Sequence, residues 1–160
     1  MKREDLKGLK LSNPLHLAAV GFGSGLAKKA PGTFGTLAAV PFYYFMSFLS
    51  LQVYIAVIVI SIVFGIWICH VTSRDMDSHD HGAIVWDEFV GYWITMLMVP
   101  FSWQWAFVGF ILFRFFDIVK PYPICWLDKK VQGGLGIMLD DIVAGIFAAM
   151  GLQFLIYFYG

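Results

Sequence analysis

Charge is what this sequence has least of. Only 14% of its 160 residues are Asp, Glu, Lys or Arg, against about a quarter in a typical soluble domain, and 59% are hydrophobic. None of those four residue types occurs from Ala30 to Ser73, nor from Phe89 to Phe113. With a mean hydropathy of +0.74, the chain reads as an integral membrane protein rather than a soluble domain. The formal net charge is zero, which excludes the basic surface that nucleic acid requires. The two cysteines, Cys69 and Cys125, fit no zinc or redox spacing, and neither has an arginine six positions on, so thiol chemistry is excluded too. The one apolar stretch near the N-terminus, Leu15 to Phe22, is short and broken by glycine, so no cleaved signal peptide is expected. At this length a single domain, 1–160, is expected.

The uncharged runs set the architecture. The run from Ala30 to Ser73 is too long for one helix across a hydrocarbon core of about 30 Å, and suits two. They are expected at about 35–49 and 53–70, with the turn between Ser47 and Gln52. The second run is interrupted by Pro100, Ser102, Trp103 and Gln104, which predicts a helical hairpin with arms at about 87–100 and 104–118. A last helix follows at about 140–159. Before them, 1–33 reads as an interfacial lead-in, with Ser12-Asn13-Pro14 capping a short helix that carries His16, and then a glycine-rich loop. Trp126 to Gly136 reads as a polar loop.

The expected fold is therefore all-α: a polytopic membrane bundle with about five membrane-entering helices. That count puts all 22 charged residues on one face, which the positive-inside rule makes cytoplasmic, while the opposite turns resemble an aromatic belt. A single span over Phe89 to Phe113 would place Arg114 to Lys130 outside and split the two acidic clusters across the bilayer.

What charge there is concentrates in places. His79 to Gly91 holds two histidines with Asp80, Asp87 and Glu88, and Asp140-Asp141 open the last expected helix. Five carboxylates at one membrane face suit magnesium, a hard cation that keeps several waters and binds one or two carboxylates plus substrate phosphate. The plainer explanation is that acids favour helix N-termini; two such pairs in a chain with eleven acids argue against it. Gly91 and Gly145 each lie about one turn from a carboxylate and leave that face open to close approach. His79 or His81 could shuttle a proton, or simply belong to a solvated loop. Arg114 and Lys120 sit among apolar residues and are the better phosphate-binding candidates, whereas Lys129 and Lys130 suit lipid headgroups. The glycine loop, through Ser24 and Gly25, could offer backbone N–H groups to a phosphate, but it lacks the Gly-Lys-Ser/Thr of a Walker loop. With no covalent nucleophile in view, activated water fits best.

Four motifs, Gly23-Ser-Gly-Leu with Pro31-Gly-Thr-Phe-Gly-Thr-Leu37, the segment His79 to Gly91, Phe113-Arg-Phe-Phe-Asp-Ile-Val-Lys-Pro-Tyr-Pro-Ile124, and Gly133-Gly-Leu-Gly-Ile-Met-Leu-Asp-Asp-Ile-Val-Ala-Gly145, resemble the phosphatidylglycerophosphatase A family. The resemblance runs in order over nearly the whole chain. It implies magnesium-dependent hydrolysis of phosphatidylglycerophosphate to phosphatidylglycerol and phosphate at the bacterial inner membrane, with no obligate protein partner. It carries metal and catalytic roles onto Asp80, Asp87, Glu88, Asp140 and Asp141 without dividing ligand from base, and adds Arg114, Asp117 and Lys120 as a further motif. Two other classes share the need for membrane carboxylates. A CDP-alcohol phosphatidyltransferase would require an Asp-Gly-x-x-Ala-Arg signature that this sequence lacks, and a divalent-cation carrier would require carboxylates deep in a span.

Overall fold

A computed structural model describes residues 6–78 and 81–159, and among them every regular element is a helix. Short α1 (Pro14–Ala19) begins as the sequence predicts: the Asn13 side chain accepts from the Leu15 N–H at 3.0 Å, and Pro14 occupies the first turn. A 3-10 segment (Gly21–Leu26) follows, interrupted by left-handed backbone at Phe22 and Gly23. The main helices are α2 (Pro31–Met46), α3 (Leu51–Asp75), α4 (Trp86–Thr95), α5 (Trp103–Val119), the short α6 (Ile124–Lys130) and α7 (Gly133–Tyr159).

Two of them, α3 and α7, are long and apolar enough to cross a membrane. At about 1.5 Å per residue they measure roughly 38 and 40 Å. Only 28% and 22% of their most apolar stretches are buried in the molecule, so they present apolar surface outward, unlike the core helix of a soluble protein. Helices α2, α4 and α5 have 16, 10 and 17 residues, roughly 24, 15 and 26 Å, shorter than the core they would have to traverse unaided.

Helix α4 is the hub. Every one of its residues except Asp87 is buried, the charged Glu88 included. Its aromatic side chains still need hydrogen-bond partners, and they find them on three neighbours. Trp86 Nε1 donates to the Ser61 carbonyl of α3 at 3.1 Å, Trp93 Nε1 to Ala39 of α2 at 3.2 Å, and the Tyr92 hydroxyl to Ala106 of α5 at 3.0 Å. Against the fourth neighbour, α7, α4 packs backbone on backbone. A Cβ on Gly145 would run into the Gly91 carbonyl, and one on Gly91 would come within 2.9 Å of the Asp141 carbonyl of α7 as well as striking the Phe113 ring of α5, the kind of close approach that these two glycines leave room for. Carbonyls at and beyond the end of α4, where helix bonding fails, accept from Tyr54 (to Trp93, 2.9 Å) and Gln153 (to Leu97, 3.0 Å).

Several boundaries differ from expectation: α2 starts at Pro31 instead of about 35, α3 runs on to Asp75 past the expected 70, and α4 ends at Thr95 instead of about 100. Helix α7 begins at Gly133, seven residues before the expected 140, and α6 occupies part of the expected polar loop. The Gly133-Gly134 pair looks like a loop because glycine is a poor helix former. Here tertiary contact overrides propensity: Gly134 lies against the Ile66 carbonyl of α3, where no side chain fits.

Candidate active site

The starts of α2, α4 and α7 meet the ends of α3 and α5 at one end of the bundle, and the carboxylates gather there. In the first turn of α4, buried Glu88 accepts from the Thr36 hydroxyl of α2 at 2.9 Å and pairs with Arg114 Nη1 of α5. Thr36 Oγ1 lies equally close to the Gly32 carbonyl, 2.9 Å. Its single hydrogen favours the carboxylate, since a charged acceptor makes the stronger bond. The same guanidinium nitrogen reaches Asp117, one turn along α5, at 2.8 Å. Gly32 forms the wall of this group: a Cβ there would overlap Glu88 Oε1 and sit 3.0 Å from Arg114 Nη1.

A second cation closes the other side. Lys120, in left-handed backbone (φ 45°) at the end of α5, binds Asp140 at 2.5 Å and Asp128 at 2.7 Å. Burial works against its charge, but the bonds to Asp128 and Asp140 hold the ammonium above the ordinary lysine range.

Between these two groups lies Asp141, only 3% exposed. It sits in the field of Asp117, Glu88, Asp87 and Asp140, with Arg114 the cation that feels it. Among the described residues its Oδ2 has no hydrogen-bond partner, and neither does the buried Arg114 Nε. A buried carboxylate oxygen left in this way is costly unless something positive meets it. Arg114 pairs with Glu88 and Asp117 and Lys120 with Asp140, while Asp141 Oδ2 stays unmatched among the described residues, so the donor set fits a divalent cation. Among the described residues no three acidic or imidazole groups converge tightly enough to hold an ion alone.

Helix position decides against the plainer explanation for one acidic pair. Asp87 and Glu88 do occupy the first turn of α4. Asp140 and Asp141 are eighth and ninth in α7, too far along for the helix terminus to account for them. Asp80 and His79 lie outside the described residues. His81 Nδ1 accepts from the Ala83 N–H at 3.1 Å and so closes a local turn. Ser24 and Gly25 also spend their donors at home, the hydroxyl on the Gly21 carbonyl at 2.8 Å and the N–H on Val20 at 3.1 Å. Their turn rests against Ala83 and Val85, just short of Asp87. Arg114 and Lys120, expected on phosphate, are both engaged by carboxylates. Thr36 and Gly32 were not expected at the site, and Asp117 was expected only as part of a motif. With α2 begun at Pro31 instead of about 35, the four-residue spacing of Gly32 and Thr36 places both on one face.

Residues 17–156 match the family model described as phosphatidylglycerophosphatase A. A protein of Escherichia coli (strain K12) named phosphatidylglycerophosphatase A is 55% identical over 148 residues, covering 92% of this chain and 86% of that protein. One of the same name from Haemophilus influenzae is 48% identical over 147 residues, 91% and 90% of the two chains. A Bacteroides thetaiotaomicron protein, provisionally named a phosphatidylinositol-3-phosphatase, is 38% identical over 143 residues, 82% of this chain and 87% of its own. No solved structure matches the chain.

Proposed function

Since the chain belongs to the phosphatidylglycerophosphatase A family, we propose that it is the phosphatase of that name, cleaving the terminal phosphomonoester of phosphatidylglycerophosphate to give phosphatidylglycerol and inorganic phosphate. The observation that carries this reading is Asp141, a buried carboxylate with an unmatched oxygen amid four other acids. A phosphomonoester adds still more negative charge, so the site asks for a cation. Asp87, Asp140 and Asp141, with Asp80, would hold magnesium; Glu88 has one oxygen committed to Thr36 and Arg114 and would position the guanidinium. Bound there, magnesium would offset the phosphate charge and lower the pKa of water.

The chain's own groups would do the rest. Arg114, braced by Glu88 and Asp117, would turn its remaining donors to the phosphate, where they stabilise charge developing in the transition state. Lys120 keeps Asp140 placed. A carboxylate of the cluster would take the proton from attacking water. The relatives' names favour hydrolysis over both a CMP-releasing transferase and a carrier. The provisional name of the Bacteroides relative suggests that related scaffolds accept phosphate on another headgroup.

We further propose that α2, α4 and α5 enter the bilayer beside the spanning α3 and α7, with the acidic end at the cytoplasmic face of the bacterial inner membrane. Support comes from the gathering of Thr36, Glu88, Arg114, Lys120 and Asp140 at one end, and from Tyr44, Phe101 and Trp103 clustering away from it.

The test is phosphate release by purified protein in detergent from phosphatidylglycerophosphate and from phosphatidic acid, with magnesium and then EDTA. Release from the first lipid alone, abolished by EDTA, is the expected result. Equal release from both would move recognition from headgroup to phosphate, and no release from folded, magnesium-loaded protein would overturn the reading.

A further inference from the structure

The helix faces that carry Thr36 and Arg114 continue past those residues. Residues four apart share a helix face, so α2 presents Val40 one turn beyond Thr36, and α5 presents Phe110 and then Ala106 behind Arg114. With Leu37, Phe107 and Trp103 these side chains line an apolar furrow of about 350 Å³. Buried Ala106 forms its floor, and Leu37, Phe107 and Trp103 are exposed along its walls. At the far end Trp103 stacks on Tyr44, with ring centroids 6.2 Å apart and planes 6° from parallel. The near end lies one turn from the Thr36–Glu88–Arg114 group.

We propose that this furrow is the subsite for one acyl chain of the lipid substrate, which lies along it with its phosphate at the carboxylate cluster. The proposal rests on the lipid-phosphatase reading above and adds how the lipid is held. Two observations choose the occupant. Eleven residues separate Arg114 from Trp103, roughly 16 Å of helix at 1.5 Å per residue, against about 15 Å for one leaflet of a 30 Å core. The furrow is also apolar along its length and charged only at its mouth, which is the polarity of a phospholipid and not of an apolar helix. Size alone does not select it. A larger hollow of about 490 Å³ lies on α3 around Val59, Val63 and Trp67, but all its lining residues come from α3 and none from the helices that carry Thr36, Glu88 or Arg114.

The test compares long-chain phosphatidylglycerophosphate with a short-chain, water-dispersed analogue, using Val40→Trp to fill the furrow and Val63→Trp as a matched change in the α3 hollow. Val40→Trp is expected to lower kcat/KM about tenfold on the long-chain lipid and less than about twofold on the short one, with Val63→Trp unchanged on both. Undiminished long-chain turnover in Val40→Trp, or equal loss on both substrates, would overturn the subsite. A lipid carrying a photoreactive group midway along one acyl chain gives a readout independent of turnover. Wild-type protein should crosslink at 103–110 or 37–40; crosslinking only on α3 would overturn the proposal. Crosslinking in the furrow by a wild-type protein that releases no phosphate would leave the lipid subsite standing and remove the phosphatase reading instead.

Discussion

The hydroxyl of Thr36 lies 2.9 Å from Glu88 across 52 positions of sequence, and the pair joins the second turn of α2 to the first turn of α4 behind the guanidinium of Arg114. Thr36 is fully buried, so no water replaces the donor if it is lost. Thr36→Val keeps the shape and removes the hydrogen bond, at a cost of about 1–3 kcal/mol. Phosphate release should fall about tenfold and recover in Thr36→Ser. An active Thr36→Val would show that Glu88 needs no help from α2.

At Gly32 the constraint is steric. Gly32→Ala puts a methyl group onto Glu88 Oε1, so the Glu88–Arg114 pair must shift. Activity should drop well below that of Gly82→Ala, where the added carbon finds only Pro31 Cγ at 3.7 Å. The two variants should elute identically from size exclusion, and matching activities would mean that the pair tolerates displacement.

Neutralising Asp141 should separate stability from turnover. A carboxylate buried among like charges destabilises the fold that holds it. Asp141→Asn is therefore expected to raise the melting temperature measured in EDTA, by about 2–4 °C for each kcal/mol gained, while cutting turnover at least about a hundredfold. Adding magnesium should raise the wild-type melting temperature, because a ligand that binds the folded state stabilises it. The variant should lose most of that response. An equal magnesium shift in both proteins would remove Asp141 from the metal site.

On α7 two glycines should behave oppositely. Gly145→Ala overpacks the backbone crossing with α4 and should destabilise by about 1–3 kcal/mol. Gly151→Ala meets only Leu112 at 3.8 Å and should be neutral or slightly stabilising, since alanine is the better helix former. Thermal melts of the two variants in one detergent decide the matter.

Much of this was legible in the sequence because membrane proteins write charge sparingly. Asp87, Glu88, Asp140 and Asp141 stood out against long uncharged runs, and the one-turn spacing of Gly91 and Gly145 from carboxylates marked two faces open to close approach, though not that they meet each other. Other features depended on packing that no local pattern encodes. Gly133 to Gly136 has the composition of a loop and becomes helix only because α3 receives it. Thr36 stood at the start of the helix expected from about 35, and its shared face with Gly32 became visible only with α2 starting at Pro31. Arg114 and Lys120 were recognisable as cations of the site, but their partners, Glu88 with Asp117 and Asp128 with Asp140, come from four different helices.

The carbonyls at the end of α4 bear on how the chain is made. Leu97 is answered by Gln153, near the end of the last helix, and α4 itself is too short to lodge across a bilayer alone. The Leu97 carbonyl beyond α4 lacks this donor until α7 is in place. That same helix brings Asp140 and Asp141. The step that seals the backbone of the hub and the step that delivers the buried acids are therefore one event, so a chain released before its final helix carries neither a settled fold nor a working centre, and the membrane is spared a half-built hydrolase.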